Sequence, residues 1–311
     1  MQQNNSLKEA KDALQYIKCS NFLPSFSSLS NLLPCNLGLT KYITSKIEIE
    51  KGADEKATDA MILGSCLDRY IFEYLFPLEH DKENRALPFV AIEYDGSLAT
   101  KEGKAAKQYA LDKLLKQTET MQNLGFAPPY LLKEKQIADI VLQAELLQYQ
   151  FPPNLGASLY NLLINYATDV QKKISIPLPA TFYENCPTAR GIIDAYGYNP
   201  KTGRYYLLDL KRMAKVETKD FTREIYARLL SMQIAMYKKG LESIGYRVDD
   251  CYIVGLDGSG NSNIYQFSHA EILNGWQNVK NATNILDELI ENGEPTDMLK
   301  SFCETRNCAI I

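Results

Sequence analysis

The stretch RGIIDAYGYNPKTGRYYLLDLKR, residues 190–212, decides the fold because it joins two apolar runs through strong turn residues. Residues 191–198 and 205–211 are both rich in Ile, Leu and Tyr, which favour strands. Between them, residues 199–203 read NPKTG, a composition typical of a tight turn. The sequence therefore predicts an antiparallel β-hairpin at this point.

The hairpin contains three side chains that suggest a reactive site. Asp209 and Lys211 are two residues apart on one strand and share a face, and pairing across the turn can bring Asp194 close to both. Two facing carboxylates in a partly buried site are costly unless a cation lies between them, and Mg²⁺ prefers such oxygen ligands. Lys211 could then orient or help deprotonate a water and stabilise charge on a phosphate. The alternative is that the Asp-Leu-Lys segment forms an ordinary solvated strand face.

Two further segments supply candidates for the same site. In the helix predicted at 222–243, Gln233 and Tyr237 are one turn apart and share a face, so they could reach the metal or a phosphate. The alternative for Gln233 is a partly buried amide that is bonded to backbone. Asp68 lies on an otherwise apolar helix face, where the metal is a candidate partner and a salt bridge to a lysine is the alternative.

The remaining pattern predicts an α/β core behind a helical N-terminal region. Pro34 and Pro77 would end the first two helices, and Pro128-Pro129 breaks the chain. The expected helices are a short one from residue 25, capped by Ser28 or Ser30 and followed by a turn and an extended exit to about 46, then 59–76, 101–117, 131–148, a less regular 155–170, 222–243 and 270–291. The expected strands besides the hairpin are 172–178, 250–256 and 263–267.

Composition narrows the class of protein. The 311 residues are 45% hydrophobic and 23% charged, with a formal net charge of −4, so any contact with nucleic acid requires a local basic patch. We find neither a secretory signal nor an apolar stretch of membrane-spanning length, so no membrane contact is expected. Seven cysteines at irregular spacing predict free thiols and a cytoplasmic location, and the one close pair, Cys303 and Cys308, lacks a second pair for a metal set.

The order of several motifs resembles a known family. GSCLD (64–68), GIID (191–194), DLK (209–211) and a Gln and Tyr four residues apart (233–237) are similar to the RecE-type, exonuclease VIII-like, phage recombination exonucleases. These belong to the wider PD-(D/E)xK nuclease superfamily. SSLSNLLPCNLGLTKY (27–42) and DGSLATKEGKAAKQYA (95–110) are similar to the family's opening segment and to its basic helix.

The resemblance implies a restriction-endonuclease-like core with a mixed central sheet flanked by helices. It implies metal ligation by Asp194 and Asp209, a catalytic role for Lys211, and support or phosphate contact from Gln233 and Tyr237. By the same analogy we expect Mg²⁺, replaceable by Mn²⁺, and a 5′-to-3′ exonuclease acting on duplex DNA. The implied partners are DNA, a single-strand annealing protein and further copies of the chain. Lys101, Lys104 and Lys107 would line a DNA path; a solvated helix face is the alternative.

Two departures from the family pattern affect the metal site. The family usually has a histidine where this chain has Asp68, and an aspartate there can still bind Mg²⁺ but adds a third negative charge. The first core strand of the family often carries a glutamate, and KKISIPLPATF (172–182) has none. These departures motivate a second hypothesis, a DNA-binding module that kept the fold and lost turnover. The negative net charge motivates a third, a subunit whose partner contacts the DNA.

We expect one domain over residues 25–293 between two tails, 1–24 and 294–311. Within that domain, residues 25–170 form the helical part, and residues 171–293 form the catalytic sheet and its helices.

Overall fold

A computed structural model describes residues 24–30, 33, 58–76, 87–123, 125–179, 188–199 and 202–292. The turn residues Pro200 and Lys201, the end of the predicted first helix, Cys303 and Cys308 lie outside the described residues. So do the two predicted tails, apart from Pro24.

The described chain is a mixed α/β structure, as the sequence predicts. Along the described chain, five helices and two strands come before the main sheet: α1 (Phe26–Ser30), α2 (Asp59–Arg69, continued by a π-helical turn over Tyr70–Leu75), β1 (Phe89–Ile92), α3 (Lys101–Asn123), β2 (Tyr130–Lys133), α4 (Glu134–Glu145, then a 3₁₀ turn over Leu146–Tyr149) and α5 (Leu159–Asn161, then a π-helical turn over Leu162–Tyr166). The rest are β3 (Ala167–Pro177), β4 (Thr188–Asn199), β5 (Arg204–Met213), α6 (Thr218–Ala227), α7 (Leu230–Ser243), β6 (Val248–Asp257), β7 (Ser262–Gln266) and α8 (His269–Asn292).

The main sheet has five strands in the order β3-β4-β5-β6-β7. β4 and β5 form the predicted hairpin, with Ala195 opposite Leu208 and Asn199 opposite Arg204. β5 and β6 run parallel, and the other neighbours are antiparallel. A parallel pair needs a long crossover, which α6 and α7 provide.

The sheet lies between two apolar layers. On one face, β-strand residues such as Leu207 and Ile253 pack with α7 and α8. On the other face, Leu208, Leu210 and Val254 pack with α2 and α4. Both faces of β5 and β6 are therefore covered, which explains why β6 is buried from Cys251 to Asp257 rather than alternating in burial.

The predicted helix over 222–243 is wrong as a single helix. It divides into α6 and α7 at Arg228 and Leu229, and Leu229 adopts a left-handed φ of 53°. α6 lies against β7, whereas α7 packs on β3 and β6. Neither Gly nor Pro lies at the break. The two halves pack on different strands, and this packing accounts for the break.

Three other predicted bounds need correction. The predicted helix over 131–148 begins with strand β2, which pairs in parallel with the unpredicted strand β1. Both strands are only four residues long, too short for periodicity to separate strand from helix. The predicted 155–170 helix ends at Tyr166, and the strand predicted from Lys172 begins at Ala167. At α1, Ser28 lies inside the helix, and its hydroxyl bonds to Ser25 at the helix start.

Within the described part of the chain, no helix combines the length and the apolar character needed to cross a bilayer. Cys66 and Cys251 are buried free thiols, as predicted for cysteines in this chain.

A close approach of α8 to α7 gives a first prediction. A Cβ on Gly275 would lie 2.2 Å from the Ser231 carbonyl oxygen, a backbone atom that a rotamer change cannot move away. Gly275→Ala should lower the free energy of unfolding by about 1–3 kcal/mol, measured by urea denaturation. The matched control is Gly64→Ala in α2, where nothing lies within 4 Å of the added Cβ. That variant should gain roughly 0.5–1 kcal/mol. Equal effects of the two substitutions would contradict the packing assignment.

Candidate active site

The candidate site lies where β4 and β5 part. Their pairing begins at Asn199–Arg204 and ends at Ala195–Leu208, whereas β5 continues beside β6 as far as Met213. At the point of separation the Asp194 Oδ2 accepts a hydrogen bond of 2.8 Å from the Leu210 N–H. A side-chain carboxylate thus takes the place of a backbone acceptor, and the hairpin opens into a notch beside β5.

Asp209 and Lys211 share the face that the strand alternation predicts. The Lys211 ammonium lies 2.6 Å from Asp209 Oδ2, and only 1% of the Asp209 side chain is exposed. The burial of Asp209 argues against the alternative in which this segment is a solvated strand face.

Gln233 and Tyr237 reach Asp209 from α7. The Gln233 amide donates to Asp209 Oδ1 at 3.3 Å and to the Tyr237 hydroxyl at 2.8 Å. The alternative interpretation, in which the Gln233 amide bonds to backbone, is therefore wrong for its donor group. Gly191, on β4, makes room for Tyr237, since a Cβ there would lie 2.7 Å from the tyrosine ring.

Asp68 approaches the same group of charges from α2. Burial raises the pKa of its carboxyl to about 7, attraction to Lys211 opposes that shift, and repulsion from Asp209 adds to it. The structure therefore places Asp68 within electrostatic reach of Lys211 and Asp209. Whether Asp68 serves a metal or pairs with a lysine, of which Lys211 is the one that acts on its carboxyl, stays a prediction.

The three carboxyl groups outnumber the cation that they share. Burial raises the pKa of Asp194 well above its usual range, and the charge of Asp209 raises it further against the opposing effect of Lys211. Burial also raises the pKa of Asp209, again opposed by Lys211. Burial alone would lower the pKa of Lys211, but Asp209 and Asp194 outweigh it and the net shift is upward. The cluster is thus short of positive charge when its carboxyls are ionised.

The residues present fit a divalent cation. Gln233 Oε1 is a buried oxygen with no hydrogen-bond donor, whereas Asp209 Oδ2 has the Lys211 ammonium as its partner. Among the described residues, no set of three or more Asp, Glu, His and Cys side chains is gathered closely enough to hold a metal by itself. Metal ligation by Asp194, Asp209 and Asp68 therefore stays a prediction.

Gln171 is a site residue that sequence reasoning missed. Its amide donates a hydrogen bond of 3.2 Å to Asp194 Oδ1. The sequence offered little signal, because Gln171 falls between the irregular helix predicted to end at 170 and the strand predicted from 172. Its relation to Asp194 depends on strand pairing between residues 23 positions apart.

A cavity of about 550 Å³ adjoins the site and reaches Gln233 and Tyr237. Lys173 and Arg190 also line it, and none of the described residues that line it is Asp or Glu. Lys101, Lys104 and Lys107 lie on the exposed surface of α3. Their suggested contact with DNA stays a prediction beside the alternative of a solvated helix face.

The raised pKa of Asp68 predicts a pH-dependent difference in stability. A carboxyl whose pKa is higher in the folded than in the unfolded chain favours folding below about pH 4, and this contribution is lost as the pH rises through about 7. In EDTA, Asp68→Asn should therefore gain melting temperature relative to the unsubstituted protein between about pH 5 and about pH 9. Calorimetry over this range measures it. A difference in melting temperature that stays the same at every pH would show that the pKa of Asp68 is not raised in the folded protein.

No family model matches the sequence, and no curated protein matches it either. Among solved structures, the fold is similar to the crystal structure of a protein from Eubacterium rectale described as a "Putative exonuclease". The match has a TM-score of 0.50 at 13% sequence identity and covers 94% of this chain and 91% of the other. At that identity the similarity concerns the fold alone. The chain therefore has a mixed α/β fold like that of this Eubacterium rectale protein.

Proposed function

We propose that this chain is a metal-dependent nuclease of the PD-(D/E)xK type that hydrolyses phosphodiester bonds in DNA. The observation that carries the proposal is the meeting of Asp194, Asp209 and Lys211 where β4 and β5 part, with both carboxylates buried. A buried pair of acids beside one ammonium is expensive to maintain, and catalysis is a reason to keep it. The fold similarity to a protein described as a "Putative exonuclease" supports phosphodiester hydrolysis as the reaction.

Asp194 and Asp209 would hold Mg²⁺, or Mn²⁺ in its place. Both are hard cations that prefer oxygen ligands, and the two carboxylates and the unbonded amide oxygen Oε1 of Gln233 supply such oxygens. When bound, the cation would polarise the phosphate and make an attacking water more acidic.

The chain's own side chains have separate tasks in this proposal. Lys211, held as a cation 2.6 Å from Asp209, would supply positive charge to the phosphoryl oxygens as negative charge builds on them. Gln233 fixes the orientation of Asp209 through its amide and also holds the Tyr237 hydroxyl. Tyr237 faces the adjoining cavity, where Lys173 and Arg190 favour an anionic chain such as a DNA backbone.

The proposed direction of cleavage, substrate and partners rest on the order of motifs in the sequence. The resemblance to RecE-type enzymes supports an exonuclease that degrades one strand of duplex DNA from its 5′ end in phage-type recombination. It also supports assembly with further copies of the chain and with a single-strand annealing protein.

Cleavage of linear duplex DNA in the presence of Mg²⁺ tests the central claim. Lys211→Ala should lower the rate at least about 100-fold, because charge in the transition state is no longer stabilised. Asp209→Asn should lower it similarly through loss of a metal ligand. Lys280→Ala, on the exposed surface of α8, is the matched lysine control and should keep full activity.

Failure of the unsubstituted protein to cut linear, nicked and single-stranded DNA with either Mg²⁺ or Mn²⁺ would sink the proposal. DNA binding that weakens steeply with salt and leads to no cleavage would favour the binding-module hypothesis instead. Co-purification with another protein, without DNA binding by this chain alone, would favour the subunit hypothesis.

Direction is tested with end-labelled duplexes. A 5′-to-3′ exonuclease should release the 5′ label as mononucleotide at early times, leave the 3′ label in long fragments, and spare a covalently closed circular duplex. The measurement is a time course on a denaturing gel. Cutting of the closed circle would show an endonuclease and overturn the exonuclease part of the proposal.

A further inference from the structure

Gln171 has a left-handed backbone in the middle of a strand, with a φ of 49°. Two other non-glycine residues in the described part of the chain have positive φ: Asn154 lies in a turn and Leu229 lies between two helices. A residue with a Cβ is strained in this region, and such strain persists only where the surrounding structure imposes it. The pairs on both sides of Gln171, Val170–Ala195 and Lys172–Ile193, hold β3 in register across it.

The strained residue marks a place where β3 changes face. Ile174 and Ile176 pack in the core against α7, and regular alternation would put Val170 in the same core. Val170 instead packs in the opposite core, against α2 and α4. The left-handed conformation at Gln171 rotates the strand and so accounts for this exchange.

The partner strand changes face at the paired position. Ile193 and Ala195 are two residues apart, yet Ile193 lies in the core against α7 and Ala195 in the opposite core. The residue between them is Asp194. Gln171 and Asp194 therefore stand at the same level of two paired strands, where both strands turn over.

The turnover brings the Gln171 amide to the Asp194 carboxylate. Gln171 Nε2 donates to Asp194 Oδ1 at 3.2 Å, and the Leu210 N–H donates to Oδ2 at 2.8 Å. Each oxygen of Asp194 therefore receives one hydrogen bond, from the strands on its two sides. Each oxygen keeps a further lone pair, and the amide donor carries no charge that would repel a cation.

We propose that Gln171 is a positioning residue that orients Asp194 for divalent-cation binding, and that its strained backbone is retained for this purpose. The inference rests on the proposed function, in which Asp194 holds the cation. It assigns a role to an unpredicted residue that would act through Asp194 rather than on DNA.

Substitution by glycine separates this role from a structural one. Glycine adopts a left-handed φ without strain, and this gain offsets the lost hydrogen bond, so Gln171→Gly should melt in EDTA close to the temperature of the unsubstituted protein. It removes the amide, however, and should weaken Mn²⁺ binding about tenfold in calorimetric titration. The kcat for DNA cleavage should fall by a similar factor while KM stays unchanged, because Gln171 is not assigned a contact with the substrate.

Two further variants complete the test. Gln171→Asn keeps an amide and tolerates a left-handed φ, but its side chain is one methylene shorter, so it should bind Mn²⁺ as weakly as Gln171→Gly. Asn154→Gly relieves a left-handed residue in an exposed turn and should leave Mn²⁺ affinity unchanged.

The outcomes separate the positioning role of Gln171 from the proposed nuclease function. If the unsubstituted protein binds Mn²⁺ and cuts DNA, and Gln171→Gly and Gln171→Asn do so equally well, the positioning role is wrong and the nuclease proposal stands. A Gln171→Gly protein that melts well below the unsubstituted one contradicts the strain argument. If the unsubstituted protein neither binds Mn²⁺ nor cuts DNA, the proposed function fails and the positioning role with it.

Discussion

The hydrogen bond from the Leu210 N–H to the Asp194 carboxylate is the interaction on which the site depends. It satisfies a β5 donor that would otherwise lose its partner where β4 turns away, and so it allows the hairpin to open without leaving a buried N–H unpaired. The same bond holds a carboxylate inside the protein beside Asp209. The opening of the sheet and the concentration of negative charge are therefore one structural event.

The rest of the fold sustains that charge. Apolar layers on both faces of the sheet exclude water and so raise the pKa of the carboxyls, while Lys211 supplies a single compensating cation. α7 contributes Gln233 and Tyr237 from one layer, and α2 contributes Asp68 from the other. The break at Leu229 lets α7 pack on β3 and β6 while α6 lies against β7. Keeping these charges buried costs stability, which is why the cluster is a candidate functional site.

Local patterns explain what could be predicted. The turn between 199 and 203 and the alternation of Asp209 and Lys211 were enough to predict the hairpin and the shared face, and the spacing of Gln233 and Tyr237 predicted their shared side of a helix. Interactions between distant segments explain what was missed. β1 and β2 are strands because they pair with each other, and Gln171 bonds to Asp194 only after β3 and β4 turn over together.

The sequence by itself determined the α/β class, the hairpin and the identity of its two acids and one lysine, because strand alternation and turn chemistry act over a few neighbouring residues. Only the tertiary structure decided that the hairpin parts at Asp194, that Asp68 lies within electrostatic reach of Asp209 and Lys211, and that Gln171 is strained to meet Asp194. The physical reason is that burial and hydrogen bonding between strands depend on residues far apart in the chain. No local pattern encodes those contacts.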